Sequence, residues 1–299
     1  HQLKSNIKWK PNAQTIAGEN GYGDKLNQLN CPLGIHIDHQ QQHIYIADHY
    51  NDRIVKWKLG ENNGEIVAGG NGQGNRIDQL FWPTDVIIDE NNKSLIICDY
   101  GNRRVVRWPL ENPNGDKEIL IQNILGCGLM MNENGDLFVA DLKNDAVKVW
   151  RKDEIGKGKE GIIVAGGNGR GNKLNQLNYP TYIFIDREES VYVSDNGNHR
   201  VMKWYKGANE GIVVAGGQGP GNSLNQLNHP YGLLVNEVGD IYVADYGNHR
   251  IMCWSLGSKE GRVVVDGNGF GRGSTQLNNP ICLSFDVENN LYVADQSNN

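Results

Sequence analysis

The chain has 299 residues, with 29 Lys and Arg against 35 Asp and Glu, a net charge of −6, and 38 glycines. An acidic balance lacks the electrostatic footprint behind most nucleic-acid affinity, so no nucleic-acid partner is expected. No apolar run is long enough to span a bilayer, so membrane insertion is not expected, and the length suits a single repeat-built domain over residues 1–299.

The chain opens on His1 and not on Met, which reads as a processed or trimmed start that a secretory signal can precede. Residues 5–18, containing Ile7-Lys8-Trp9 and ending Thr15-Ile16-Ala17-Gly18, read as two short strands. Ala17 to Pro32 is a Gly-rich link, AGENGYGDKLNQLNCP, and Tyr45 to Trp57 (YIADHYNDRIVKW) follows it. A second link, Ala68 to Pro83, leads to Ile96 to Trp108 (IICDYGNRRVVRW). The next connection, Glu118 to Gly126, lacks the Gly-rich loop and leads to Phe138 to Trp150 (FVADLKNDAVKVW). Links at Ala165 to Pro180 and Ala215 to Pro230 precede Tyr192 to Trp204 (YVSDNGNHRVMKW) and Tyr242 to Trp254 (YVADYGNHRIMCW). A last link, Val265 to Pro280, precedes YVADQSNN, where the sequence ends at Asn299.

Repetition at a period of about 50 residues points to a propeller or solenoid. Within one repeat, Gly232 to Val235, Ile241 to Ala244, Arg250 to Trp254 and Arg262 to Val265 read as four short strands bounded by Gly, Asn and Asp. One such meander cannot bury both of its faces, whereas radial stacking of six can. The expectation is an all-β, six-bladed β-propeller of four-stranded antiparallel blades. Residues 281–299 and 5–18 would complete one blade between them and remove the last unpaired edges. The Gly-rich links resemble phosphate loops only superficially, because no helix and no GK[ST] follow them.

None of Cys31, Cys98, Cys127, Cys253 and Cys282 forms a CxxC pair, so zinc spacing is absent. Cys98 and Cys253 read as small buried apolar residues, and a bond between Cys31 and Cys282 is left open. Asn92-Lys93-Ser94 is a glycosylation sequon on an expected hairpin tip.

The pattern P-x-G-x-x-x-[DN] followed by [YF]-[VI]-[AS]-D-x-x-N-x-R-[VI]-x-x-W resembles the NHL repeat, and it recurs in register along essentially the whole chain. The resemblance implies a six-bladed propeller. The family includes RNA-binding domains, an amidating lyase and secreted or receptor-attached binding modules, and these links look most like the extracellular type. Fold does not choose among such functions.

A residue type that recurs in most repeats is expected to serve the scaffold. Asp48, Asp99, Asp141, Asp195 and Asp245 are read as accepting N–H groups of their own turns, with Arg53, Arg104, Arg200 and Arg250 pairing to carboxylates. The competing reading is an anion-binding ring of those four arginines. Positions that differ between repeats carry the functional expectation. Trp82, Asp85, Tyr179, Tyr182, His229 and Tyr231, flanking the entry prolines, would form an aromatic, hydrogen-bonding collar at a channel mouth. Such a collar suits a protein, a peptide or a glycan. A lyase would need about three convergent His ligands, and only His36 lies on an inner strand. A Ca²⁺-dependent hydrolase would need several acids, and only Asp85 is placed there, although a structural Ca²⁺ held by channel carbonyls fits the architecture. The expected function is a non-catalytic extracellular binding or assembly module, able to form a homo-oligomer or filament. RNA binding is the alternative from another class.

Overall fold

The computed structural model describes residues 12–18, 20–38, 42–110, 112, 115–266 and 269–298, which contain strands and single 3₁₀ turns and no α-helix. The first blade comprises β1 (Pro32–Asp38), β2 (His43–Asp48), β3 (Arg53–Lys58) and β4 (Glu65–Gly69). The second comprises β5 (Pro83–Asp89), β6 (Ser94–Asp99), β7 (Arg104–Pro109) and β8 (Glu118–Gln122). The third comprises β9 (Gly126–Met131), β10 (Leu137–Asp141), β11 (Ala146–Trp150) and β12 (Ile162–Gly166). The fourth comprises β13 (Pro180–Ile185), β14 (Val191–Asp195), β15 (Arg200–Trp204) and β16 (Ile212–Gly216). The fifth comprises β17 (Pro230–Val235), β18 (Ile241–Asp245), β19 (Arg250–Trp254) and β20 (Arg262–Asp266). Among the described residues, a last sheet holds β21 (Pro280–Phe285) and β22 (Leu291–Asp295).

The blade count therefore differs from the expected six complete blades: the described residues form five four-stranded blades and one two-stranded sheet. Two outer strands were expected from 5–18, and residues 5–11 of that segment lie outside the described residues. Residues 12–18, which are described, form no strand, and Ala13 instead donates its N–H to the Ser274 carbonyl at 2.7 Å. The chemical reason is local, since Asn12 to Thr15 are exposed and supply no apolar alternation to bury.

The described residues fall into two compact units, one built from 16–143 and 148–163, the other from 12–15, 144–147 and 164–298. In the first, β1, β5 and β9 lie next to one another, and apolar cores fill the spaces between successive sheets. In the second, β13, β17 and β21 are adjacent and two further cores lie between their sheets. Sheets covered on both faces bury nearly every residue, as β6, β10, β14 and β18 do, which is why these strands are apolar runs and not alternating ones. The repeat tryptophans pack on the third strands: Trp204 is almost fully buried, and a Cβ at Gly211 would stand 2.8 Å from its ring. Only glycine permits the chain to pass that close.

The entry prolines start the inner strands, where the missing N–H is tolerated. Pro32, Pro83, Pro180, Pro230 and Pro280 pair directly with Asp48, Asp99, Asp195, Asp245 and Asp295. A register shift follows each proline. That bulge re-aims the next two side chains and sets the residue before the proline beside the second-to-third-strand turn.

Candidate functional site

The repeat Asp does not cap its own 3₁₀ turn. Its first oxygen accepts an amide from the preceding link: Asn30 to Asp48 at 2.7 Å, Phe81 to Asp99 at 2.8 Å, Asn178 to Asp195 at 2.7 Å, Asn228 to Asp245 at 2.7 Å. Its second oxygen accepts from the Asn and Arg of the motif, as from Asn51 at 2.8 Å and Arg53 at 2.7 Å. Burial raises the carboxyl pKa of Asp48, Asp99, Asp195 and Asp245, while these hydrogen bonds oppose the rise. Each arginine then turns its remaining donors onto link carbonyls. Arg200 reaches Asn172, Lys173 and Gln176, and Arg250 reaches Asn222, Ser223 and Gln226. Arg53, Arg104, Arg200 and Arg250 are buried with their donors engaged, so they lock the links and form no ring open to an anion.

The third blade tests that role. Its entering segment has no Gly-rich link, and Ala146 stands where the other repeats have Arg. The partner of Asp141 is instead Lys148 at 2.9 Å. Where there is no link to clamp, there is no clamp.

A second fixture joins successive repeats. The residues before the entry prolines, Cys31, Trp82, Tyr179, His229 and Asn279, all have φ between +52° and +60°. That region is costly for bulky side chains and persists only when neighbours hold it. The holder is a side chain from the preceding repeat's turn. Asp52 accepts the Trp82 N–H at 2.8 Å and Asp145 accepts that of Tyr179 at 2.9 Å. Imidazole Nδ1 atoms do the same for His229, from His199 at 3.1 Å, and for Asn279, from His249 at 3.1 Å. The equivalent position before the third blade is Arg103, which has no acceptor and no following link to hold.

The six collar residues divide. Trp82 and Tyr179, at 37% and 40% exposure, and His229 face solvent, and Tyr231 is half-buried with its ring 4.9 Å from that of Tyr246. Asp85 and Tyr182 are buried, a departure from the collar with a clear cause: the position two beyond each proline is covered by the adjacent inner strand. A Cβ on Gly34 would stand 2.2 Å from Asp85 Oδ1, and one on Gly232 2.6 Å from the Ile281 carbonyl. Trp82 and Asp85 belong to one unit, and Tyr179, Tyr182, His229 and Tyr231 to the other.

Around Trp82 the structure adds partners that the repeat pattern hid. His49 stacks on it at 5.9 Å, Tyr50 meets it edge-on at 6.3 Å and Phe81 lies at 4.6 Å. His49 also contacts the Pro83 carbonyl through Nδ1 at 3.1 Å, and burial lowers its pKa. Tyr50 is 56% exposed. One signal for it was present: the positions matching Tyr50 are Gly101, Lys143, Gly197 and Gly247, so it is the only aromatic there.

Asp85 accepts the Leu129 N–H at 2.7 Å and the Val86 N–H at 3.0 Å, and burial pushes its pKa up to about 7. All five cysteines are buried and none forms a disulfide, so Cys31 and Cys282 are not bonded to each other. Burial raises the Cys98 and Cys253 thiols, which makes them poor nucleophiles. Among the described residues, no three His, Cys, Asp or Glu side chains group to hold a metal ion.

The family profile described as NHL repeat matches residues 227–254, the stretch from the entry of the fifth blade to Trp254. The same fingerprint recurs in the other repeats, and the same lock in the first, second and fourth blades. Residues 227–254 are an NHL repeat, and the match with its recurrence supports a β-propeller built of such repeats.

No curated protein matches the sequence. Among solved structures the chain is similar to an auxiliary nutrient binding protein from Bacteroides thetaiotaomicron, at TM-score 0.67 and 14% identity over 90% of this chain and 68% of that one. It is also similar to a chain of a nidogen/laminin complex, at TM-score 0.61 and 15% identity over 79% and 80%. A third is a gluconolactonase from Xanthomonas campestris, at TM-score 0.64 and 12% identity over 95% and 96%. At these identities the likeness concerns the fold alone, a propeller that serves binding proteins and enzymes alike.

Proposed function

We propose that this NHL propeller is a non-catalytic extracellular binding module that engages a protein, peptide or glycan through the face carrying its links and turns. One observation carries the reading: Trp82 and Tyr50 are exposed, yet Trp82 is held by the Asp52 strap, by His49 stacked on its ring and by Pro83 after it. Rigid exposed aromatics lose little entropy on binding and offer a large apolar face. An enzyme reading has no comparable support, because the buried thiols are inert and Asp85 is enclosed. An RNA reading has none either, because the repeat arginines are spent on the links.

The extracellular assignment draws on the sequon, whose Asn92 is exposed on the 3₁₀ turn Glu90–Asn92, with Nδ2 donating to Asp89 at 2.6 Å. Expression through a secretory route followed by endoglycosidase should shift the mobility of the chain, and Asn92→Gln should remove the shift. We also propose that the open edge of β22 is paired in the working protein, and Ala13 bonded to the link ahead of β21 favours the chain's own N-terminal segment over a second copy. The binding test is a glycan and peptide array, with Trp82→Ala and Tyr50→Ala as variants. Binding that survives both substitutions unchanged would refute the proposal.

A further inference from the structure

The four straps that hold the pre-proline residues use two chemistries. Carboxylates hold Trp82 and Tyr179, whereas imidazoles hold His229 and Asn279. A backbone N–H can only donate, so Nδ1 of His199 and of His249 must be unprotonated to accept. Protonation replaces each lone pair with an N–H that faces another N–H. A carboxylate keeps an accepting oxygen under the same mildly acidic conditions.

The surroundings of the two rings are defined. His199 faces the His229 ring at a centroid distance of 4.5 Å, and His229 Nδ1 in turn meets Asn196 Oδ1 at 3.1 Å. The charged pair nearest in its own repeat, Asp195 with Arg200, is buried and mutually satisfied. Burial and the facing His229 lower the pKa of His199. His249 faces the uncharged Phe270 at 5.8 Å and Asn279, and its own repeat holds the buried Asp245–Arg250 pair. Among the described side chains, no carboxylate pairs with either imidazole.

We propose that His199 and His249 are acid-sensitive latches, which on protonation release the entry turns of β17 and β21 while the Asp52 and Asp145 straps keep those of β5 and β13 closed. The released turns carry His229, Tyr231 and Asn279, so mild acid would selectively loosen this part of the link-and-turn face. The inference rests on strap geometry and stands whether or not that face binds a ligand.

Amide exchange followed by NMR tests it with internal controls. Between about pH 7.5 and about pH 5, after correction for intrinsic rates, protection of the His229 and Asn279 amides should fall roughly tenfold, the equivalent of one ordinary hydrogen bond. The Trp82 and Tyr179 amides should hold. His199→Asp and His249→Asp, which install the acceptor used at positions 52 and 145, should each abolish the acid effect at the amide they hold. If an Asp variant fails to fold, the wild-type comparison of four amides still decides. Equal change at all four amides, no change at His229 and Asn279, or an acid effect that persists in a folded Asp variant would overturn the proposal.

Discussion

Asp85 should make this protein less stable as pH rises from 3.8 to about 7, and Asp85→Asn should remove that dependence. The carboxyl titrates at about 7 against an ordinary value of 3.8, with burial as the cause and the Leu129 and Val86 amides opposing it. Below 3.8 the group is protonated in both the folded and unfolded states. Between 3.8 and 7 the folded chain holds a proton that the unfolded chain has lost, so stability falls with each unit of pH, and above 7 the loss is complete. About 3 units at 1.36 kcal/mol each give a loss on the order of 4 kcal/mol. Burial also raises Asp48, Asp52, Asp99, Asp195, Asp245 and Asp295, and they tilt the stability curve the same way. They are present in both proteins and cancel in the comparison. Asn cannot accept at both oxygens, so the variant carries a pH-independent penalty of about 1–3 kcal/mol. Urea unfolding from about pH 4 to about pH 8 measures both proteins. The free-energy gap between variant and wild type should swing toward the variant by on the order of 4 kcal/mol across that range. Parallel curves, or a gap that moves the other way, would refute the placement of a neutral carboxyl between the inner strands.

Arg200→Ala should destabilise the fold by about 3–5 kcal/mol, because Asp195 is left buried without its charge partner. It should also raise amide exchange across residues 172–176, whose carbonyls Arg200 clamps. Trp204→Ala should cost about 3–5 kcal/mol, read by thermal or urea unfolding. Gly34→Ala should be destabilising, since its Cβ would meet Asp85, and pairing it with Asp85→Gly should restore part of the loss. Light scattering of the intact chain should give a concentration-independent mass near 33.3 kDa, and removal of residues 1–18 should produce larger species or loss of fold.

The periodic pattern made the strands, the links and the buried tryptophans legible, because each blade repeats the same local chemistry. Long-range pairing was less visible. The aspartates were expected to serve their own turns, and Asp141 does so by accepting the Lys143 N–H, whereas Asp48, Asp99, Asp195 and Asp245 serve a link about 17 residues upstream, a distance that neither propensity nor turn rules address. The exposure of the six expected collar residues was half legible. A residue before a proline could be placed by alignment, but which neighbours cover Asp85 and Tyr182 depends on how closely inner strands approach. Gly34 and Gly232 encode that approach through what they lack. Tyr50 was passed over because it stood inside a motif already assigned to scaffold. The strap residues were invisible for a related reason: Asp52, Asp145, His199 and His249 are chemically dissimilar, and only their shared ability to accept one N–H unites them.

The missing link before the third blade bears on how such a chain can be re-engineered. Arg103 and Ala146 stand in two different repeats, yet both depart from the pattern at the place where one loop is gone. A link is thus a cartridge with fittings on either side: an acceptor in the repeat before it, and an Asp, an Asn and an Arg in the repeat it enters. Grafting a new loop onto this scaffold would require exchanging those four side chains along with it. Inserting a Gly-rich link between Gln122 and Gly126 should seat only in a chain that also carries Arg103→Asp and Ala146→Arg.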